Sequence, residues 1–157
     1  MIQKNSSDIK ELIRFALKLL ARRDHFEIEI KNRLKDRGAT KVEMEQVVEY
    51  LNKFKYINDQ KTLGKYIAEM ARKGKGVNYL KKKLYEKGCS DLLRDAERLY
   101  APSIEESAAI NVCSKLKNED AEKIRKKLNS SGFSYQTISR VLKYMKKNEI
   151  NEDSYDI

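Results

Sequence analysis

Ile30-Lys31-Asn32-Arg33-Leu34 runs on to Gly38, Leu80-Lys81-Lys82-Lys83-Leu84 to Gly88, and Ile124-Arg125-Lys126-Lys127-Leu128 to Gly132. In each stretch a leucine stands four residues before the glycine and another apolar residue stands eight before it. That spacing marks one face of a basic helix. The glycine closes it, because glycine takes the left-handed conformation at a helix end without a Cβ penalty. The glycines lie 50 and 44 residues apart (88−38 and 132−88), within the period range of helical repeat arrays. The expected fold is all-α: three tandem three-helix repeats forming an elongated curved array.

The flanking sequence repeats as well. Six, nine, ten and thirteen residues after Gly38 stand Met44, Val47, Val48 and Leu51; the same offsets after Gly132 hold Ile138, Val141, Leu142 and Met145. Each set is one helical face. The middle copy has Leu92, Leu93, Ala96, Leu99 and Tyr100, cut off by Pro102, so its third helix is expected to be shorter. A first helix precedes each pair. Its stripe is Ile9, Leu12, Ile13, Ala16, Leu17 and Leu20 in the first copy, Leu63, Tyr66, Ile67, Met70 and Ala71 in the second, and Ile104, Ala108, Ala109, Val112, Cys113 and Leu116 in the third. Asp8 with Glu11, and Asp24 with Glu27, have the form of capping boxes opening helices. The expected repeats are 1–57, 58–102 and 103–157, the last with a short acidic tail, Glu149 to Asp156. One such unit alone buries too little, so neighbours are expected to share a core.

Composition excludes most other classes. The 157 residues include Gly 6 and Pro 1, far too few breakers for a sandwich or barrel of many turns. No stretch approaches the ~18 apolar residues of a membrane span, and the N-terminus has no apolar signal core. Cys89 and Cys113 form no CxxC or Cys/His spacing, which fits a reduced cytosolic compartment without a structural disulfide. Both cysteines read as core residues. The single histidine, His25, excludes a paired-His metal site and reads as a solvated turn residue beside Asp24. With no Ser-His-Asp set, carboxylate pair or metal-ligand spacing, neither catalysis nor a cofactor is expected.

Charge points to an anionic partner. Lys+Arg 34 against Asp+Glu 24 gives +10, divided as +4 in residues 1–57 (13 bases, 9 acids), +5 in 58–102 (11 and 6) and +1 in 103–157 (10 and 9). Between Lys65 and Lys87, eight bases face two acids, Glu69 and Glu86. Arg72-Lys73-Gly74-Lys75-Gly76 has two readings. Its glycines could let backbone N–H groups approach an anion, or the segment is a flexible inter-helix turn with solvating lysines. The GxxxxGK[ST] spacing of a phosphate-binding loop is absent. The aligned bases Lys31, Lys81 and Arg125, with Arg33, Lys83 and Lys127, are either a phosphate-binding stripe or the wet faces of three helices. Tyr50, Tyr56, Tyr66, Tyr79 and Tyr85 could stack on bases, although aromatic residues at helical spacing usually belong to a core.

Taken in order, these segments resemble the RecX regulatory proteins of bacterial recombination. The resemblance begins at Ala16-Leu17-x-Leu19-Leu20-Ala21-Arg22-Arg23-Asp24 and passes Arg37-Gly38 and Leu51-x-x-Phe54-x-Tyr56-Ile57-Asn58-Asp59. It is strongest from Tyr66-Ile67 through Arg72-x-Gly74-Lys75-Gly76 to Leu80-x-x-x-Leu84-x-x-Lys87-Gly88. It closes with Leu128-x-x-x-Gly132-Phe133-Ser134, Ile138 and Val141-Leu142. The chain departs at Phe26 (usually Ser), Asn58 (Asp), Thr62 (Phe) and Val77 (Pro). The resemblance implies a protein of three three-helix repeats that binds the RecA recombinase filament in its helical groove, touches several subunits, and inhibits ATP hydrolysis and strand exchange. The expected anion contacts are Arg72, Lys73, Lys75, Lys81 and Lys82, then Arg22 and Arg23. The expected partner is the RecA filament, with single- or double-stranded DNA as a further one, and the protein itself is expected to be a cytoplasmic monomer. The alternative is a free-standing helical-repeat nucleic-acid-binding protein.

Overall fold

The computed structural model describes residues 6–152. Among these, nine α-helices follow one another with no strand: α1 Ser6–Arg22, α2 Glu27–Asp36, α3 Lys41–Lys53, α4 Asp59–Arg72, α5 Val77–Glu86, α6 Leu93–Leu99, α7 Pro102–Ser114, α8 Ala121–Ser130 and α9 Tyr135–Glu152. A 3-10 turn, Ser90–Leu92, leads into α6. That helix has 7 residues, against 13 in α3 and 18 in α9. Pro102 ends the segment and opens α7, a position where its missing N–H costs nothing. The acidic stretch from Glu149 is helical to Glu152, and its remainder lies outside the described residues.

The glycine stops behave as their spacing requires. Gly38, Gly88 and Gly132 have φ of 81°, 82° and 80°. After α2 the Gly38 N–H donates to Lys35 O and the Ala39 N–H to Leu34 O; after α8 Gly132 and Phe133 repeat the pattern onto Asn129 and Leu128. These paired bonds satisfy the last carbonyls of each helix. One end breaks the rule: α3 closes the same way through Lys55, a non-glycine residue at φ 58°.

The chain separates into two compact units. One runs to Gly64 and takes in Lys87–Cys89; the other holds Lys65–Glu86 and continues from Ser90. In the first, α1 packs on α2 and α3 around Ala16, Ile30, Leu34, Val47, Val48, Leu51 and Ile57. In the second, α7 packs on α8 and α9 around Ala108, Ala109, Cys113, Ile124, Leu128, Phe133, Ile138 and Val141, and α5 packs on α6. The leucines counted back from each glycine (Leu34, Leu84, Leu128) are fully buried. Both cysteines are buried, and burial pushes the Cys113 thiol up from its ordinary value.

Helix starts differ from expectation. Asp8 falls inside α1 instead of before it. The residue that precedes α2 is Phe26, not Asp24, and Phe26 is buried. Phe26 has no side-chain acceptor, so other residues take up the free N–H groups: Glu29 Oε2 accepts from the Phe26 N–H at 3.0 Å, and Asp59 Oδ1 accepts from the Glu27 N–H at 2.8 Å. His25, expected in solvent, is instead buried, with Nδ1 3.0 Å from Arg23 O. Burial lowers its pKa, outweighing the hydrogen bond to the Arg23 carbonyl.

Candidate functional site

The Arg72–Gly76 turn is clamped from several sides. Its N–H groups, from Lys73 to Asn78, all have acceptors. Lys73, Gly74 and Lys75 donate to Glu69 O, Ala71 O and Met70 O; Gly76 donates to Ser131 O and Asn78 to Gly132 O. The Val77 N–H donates to Glu105 Oε1 at 2.9 Å. The Tyr100 hydroxyl donates to Lys75 O at 2.5 Å, and burial raises its pKa. No N–H is left for an anion, and the turn is not the flexible link that composition suggests. Gly76 serves close backbone packing: a Cβ there would lie 2.3 Å from Phe133 Cα. Gly74, at φ 66°, provides the helix stop.

Glu105 organises this region. It is 3% exposed, yet its two oxygens accept from the Val77 N–H, the Ser134 N–H (3.0 Å), Ser134 Oγ (2.6 Å) and Thr137 Oγ1 (2.6 Å). It thereby caps α5 and α9 together. Asp59 does the equivalent for α2, from the first turn of α4. The two acids are 46 residues apart (105−59), a repeat spacing that the glycine pattern alone does not bring out.

Five of the expected cations lie around α4 and α5, but they do not form one patch. Arg72 is exposed, makes no ion pair among the described residues, and borders a depression of about 400 Å³ with Ser103, Ile104, Ser107 and Asn111. Lys73 pairs with Glu69 along α4. Lys75 Nζ lies 4.8 Å from the centre of the Tyr79 ring, and Lys83 Nζ approaches the same ring at 5.7 Å. Each is close enough for a cation–π contact. A hydrogen bond from Lys83 to Glu86 (2.6 Å) raises the pKa of the lysine and lowers that of the acid. Lys82 is 4.0 Å from the same Glu86. Lys81 points away, to Glu97 of α6 at 3.3 Å. The structure therefore groups Lys75, Tyr79, Lys82 and Lys83, and leaves Lys81 on another face.

In the first unit the paired arginines divide similarly. Arg22 ends α1, exposed and without an ion pair among the described residues. Arg23 is committed to structure, donating to Glu29 at 3.1 Å and to Asp24 O at 2.9 Å. Lys87 reaches the same carboxylate at 2.6 Å. Burial alone would raise the Glu29 pKa, but hydrogen bonds from Arg23, Lys87 and the Phe26 N–H outweigh it and hold it at about 2. Most of the aligned stripe is also paired: Lys31 with Glu27 (2.6 Å) and Arg125 with Glu122 (3.8 Å), in addition to Lys81 and Lys83. Arg33 and Lys127 have no ion pair among the described residues. Of the tyrosines, Tyr56 and Tyr85 are not core residues; they are 50% and 70% exposed.

Similarity to known proteins extends over as much as 90% of the chain. Residues 14–51 match the family model described as RecX, first three-helix domain. The regulatory protein RecX of Clostridioides difficile is 28% identical over 152 residues, which cover 90% of this chain and 69% of that protein. The regulatory protein RecX of Cronobacter sakazakii is 30% identical over 94 residues, 54% of this chain and 57% of that one. The crystal structure of RecX from Lactobacillus salivarius superposes with a TM-score of 0.80 at 22% identity, covering 90% of this chain and 99% of that chain. The chain is similar to RecX regulatory proteins over most of its length. Of its four departures from the usual RecX residues, three have local explanations, and nothing in the structure explains Thr62. Asn58 precedes α4 and its Oδ1 accepts from the Lys61 N–H at 3.0 Å, which a carboxylate would do as well. Val77, where RecX proteins usually have proline, supplies an N–H that Glu105 takes up. Phe26, in place of the usual serine, trades a side-chain cap for buried apolar area, and Asp59 and Glu29 cover the N–H groups left over. Among the described residues, no group of three or more His, Cys, Asp and Glu converges as a metal site, and no helix is long and apolar enough to cross a membrane.

Proposed function

We propose that this chain is a non-enzymatic regulator of homologous recombination that binds RecA filaments on DNA and lowers their ATP hydrolysis and strand exchange. The observation that carries this reading is the clamped basic turn in a chain similar to RecX proteins. The backbone of Arg72–Gly76 is fully engaged, so recognition falls to the side chains it holds out. Arg72 and Lys75 make polar contact with acidic or phosphate groups, and Lys73 and Lys82 add charge by giving up loose, exposed surface ion pairs of little worth. Lys83 joins this set beside Lys75, while Lys81 and Arg23 serve mainly structure. Three three-helix repeats, 1–57, 58–102 and 103–157, present these groups as a monomer in the cytoplasm. Positive charge over the first two repeats favours encounter with a polyanionic filament.

The test is co-sedimentation of the chain with RecA filaments assembled on single-stranded DNA. Wild type pellets with the filament, and Lys73→Glu/Lys75→Glu pellets weakly. Equal pelleting of the two would remove the turn from the contact. Equal affinity for bare single-stranded DNA and for the filament would favour a free-standing nucleic-acid-binding protein instead.

A further inference from the structure

We infer that Tyr50, Phe54 and Tyr56, with Lys53 and Lys55, form a platform on which the unpaired bases of single-stranded nucleic acid stack. The three rings fall within seven residues at the end of α3, and Tyr50 contacts each of the other two. The centre of Tyr50 is 4.7 Å from that of Phe54, with planes inclined by 46°, and 6.5 Å from that of Tyr56, with planes inclined by only 13°. Phe54 is 53% exposed and Tyr56 is 50% exposed, and they flank half-buried Tyr50, which packs on the α1–α3 core and anchors them. Single exposed rings are ordinary, but a contiguous exposed cluster marks a binding surface.

Charge identifies the occupant. Lys53 and Lys55 alternate with the rings, no acidic residue stands between Tyr50 and Ile57, and Lys53 Nζ lies 5.9 Å from the Phe54 ring centre. Alternating flat faces and ammonium groups match the alternating bases and phosphates of a single strand. A duplex keeps its base faces inside. The core of a protein interface is depleted in lysine, so a protein partner fits less well.

The backbone supplies a second, independent observation. Among the described residues, Lys55 is the one non-glycine residue with positive φ, 58°. Its hydrogen bonds, from Lys55 N–H to Asn52 O and from Tyr56 N–H to Leu51 O, repeat those that glycine makes after α2 and α8. Glycine would close this helix without steric cost. A lysine held in that conformation keeps an ammonium group at the turn and brings Tyr56 back beside Tyr50, and strain retained in this way concentrates at functional positions.

This goes beyond filament binding, and its primary assay contains no RecA. The assay is fluorescence anisotropy of a dye-labelled oligo-dT, measured against an abasic oligonucleotide of equal length and equal phosphate count. Wild type is expected to bind oligo-dT about five-fold more tightly than the abasic strand, or better, as stacking of one base would give. Phe54→Ala/Tyr56→Ala is expected to lose that preference while binding the abasic strand unchanged. Lys55→Gly is expected to melt no lower than wild type yet to bind oligo-dT more weakly, which separates the side chain's role from a folding defect. Equal wild-type affinity for the two strands would overturn the proposal. It would also be overturned if the double variant, still folded, kept full base preference, or kept it while losing its effect on RecA filaments; the rings would then be a protein contact. If wild type discriminates the strands but does not engage RecA, the filament reading fails and the platform stands.

Discussion

Replacing Glu105 tests the internal logic of the basic turn. Four donors converge on its carboxylate, two of them backbone N–H groups, of Val77 and Ser134. In Glu105→Ala the two hydroxyls can still pair, since Ser134 Oγ and Thr137 Oγ1 are 3.0 Å apart. The two N–H groups lose their acceptor where α5 and α9 begin. A buried donor left unmade costs about 1–3 kcal/mol, so the pair costs about 4 kcal/mol. Removing a desolvated carboxylate returns part of this, leaving a loss of about 3 kcal/mol. Glu105→Gln keeps an oxygen for both N–H groups and presents an amide to hydroxyls that can rotate to accept, so its loss is about 1 kcal/mol. Urea unfolding followed by circular dichroism at neutral pH measures both, and amide exchange at Val77 and Asn78 reports the turn directly. A Glu105→Ala midpoint within error of wild type would refute the capping role. Equal losses for Ala and Gln would refute the division between backbone and hydroxyl donors.

Three other substitutions, at Glu29, Gly76 and Gly64, have outcomes fixed by their surroundings. The Glu29 pKa falls from 4.5 to about 2 on folding, so its stabilisation is fully present above pH 4.5 and is lost as pH falls toward 2. It amounts to at most about 3 kcal/mol, and Glu29→Gln should flatten the acid limb of a stability–pH profile over that window. Gly76→Ala would place a Cβ 2.3 Å from Phe133 Cα and 2.4 Å from Gly132 O, backbone atoms that cannot yield, and should cost about 3 kcal/mol or more. Gly64→Ala, in mid-helix with nothing within 4 Å, should instead gain about 0.5–1 kcal/mol; thermal melts of the two variants should move in opposite directions.

Helix order and core faces were legible because both are local. A leucine four residues before a glycine and a second apolar residue one turn earlier state the buried side of a helix and its end, and Leu34, Leu84 and Leu128 are fully buried. Pro102 likewise announced the short third helix of the middle set. What escaped depends on chain segments distant in sequence. The Glu27 N–H is capped by Asp59, 32 residues later, and the Val77 N–H by Glu105, 28 residues later. Neither partner stands at the S/T/D-x-x-E spacing that signals a local box. The glycines of Arg72–Gly76 looked like an opening for a ligand because a glycine-rich basic segment is the same string whether its backbone meets an anion or another turn; Ser131, Gly132 and Phe133 decide the matter here. His25 and Tyr56 exchanged their expected environments for a related reason. Turn residues carry no periodicity, so their burial is set by what folds over them.

The central claim is that basic side chains held by a clamped turn act on RecA filaments, and RecA's single-stranded-DNA-dependent ATPase tests it most directly. With this chain added below the concentration of RecA, the rate should fall, and Lys73→Glu/Lys75→Glu should restore much of it while melting at the wild-type temperature. An ATPase rate unchanged at saturating wild-type protein would contradict the claim.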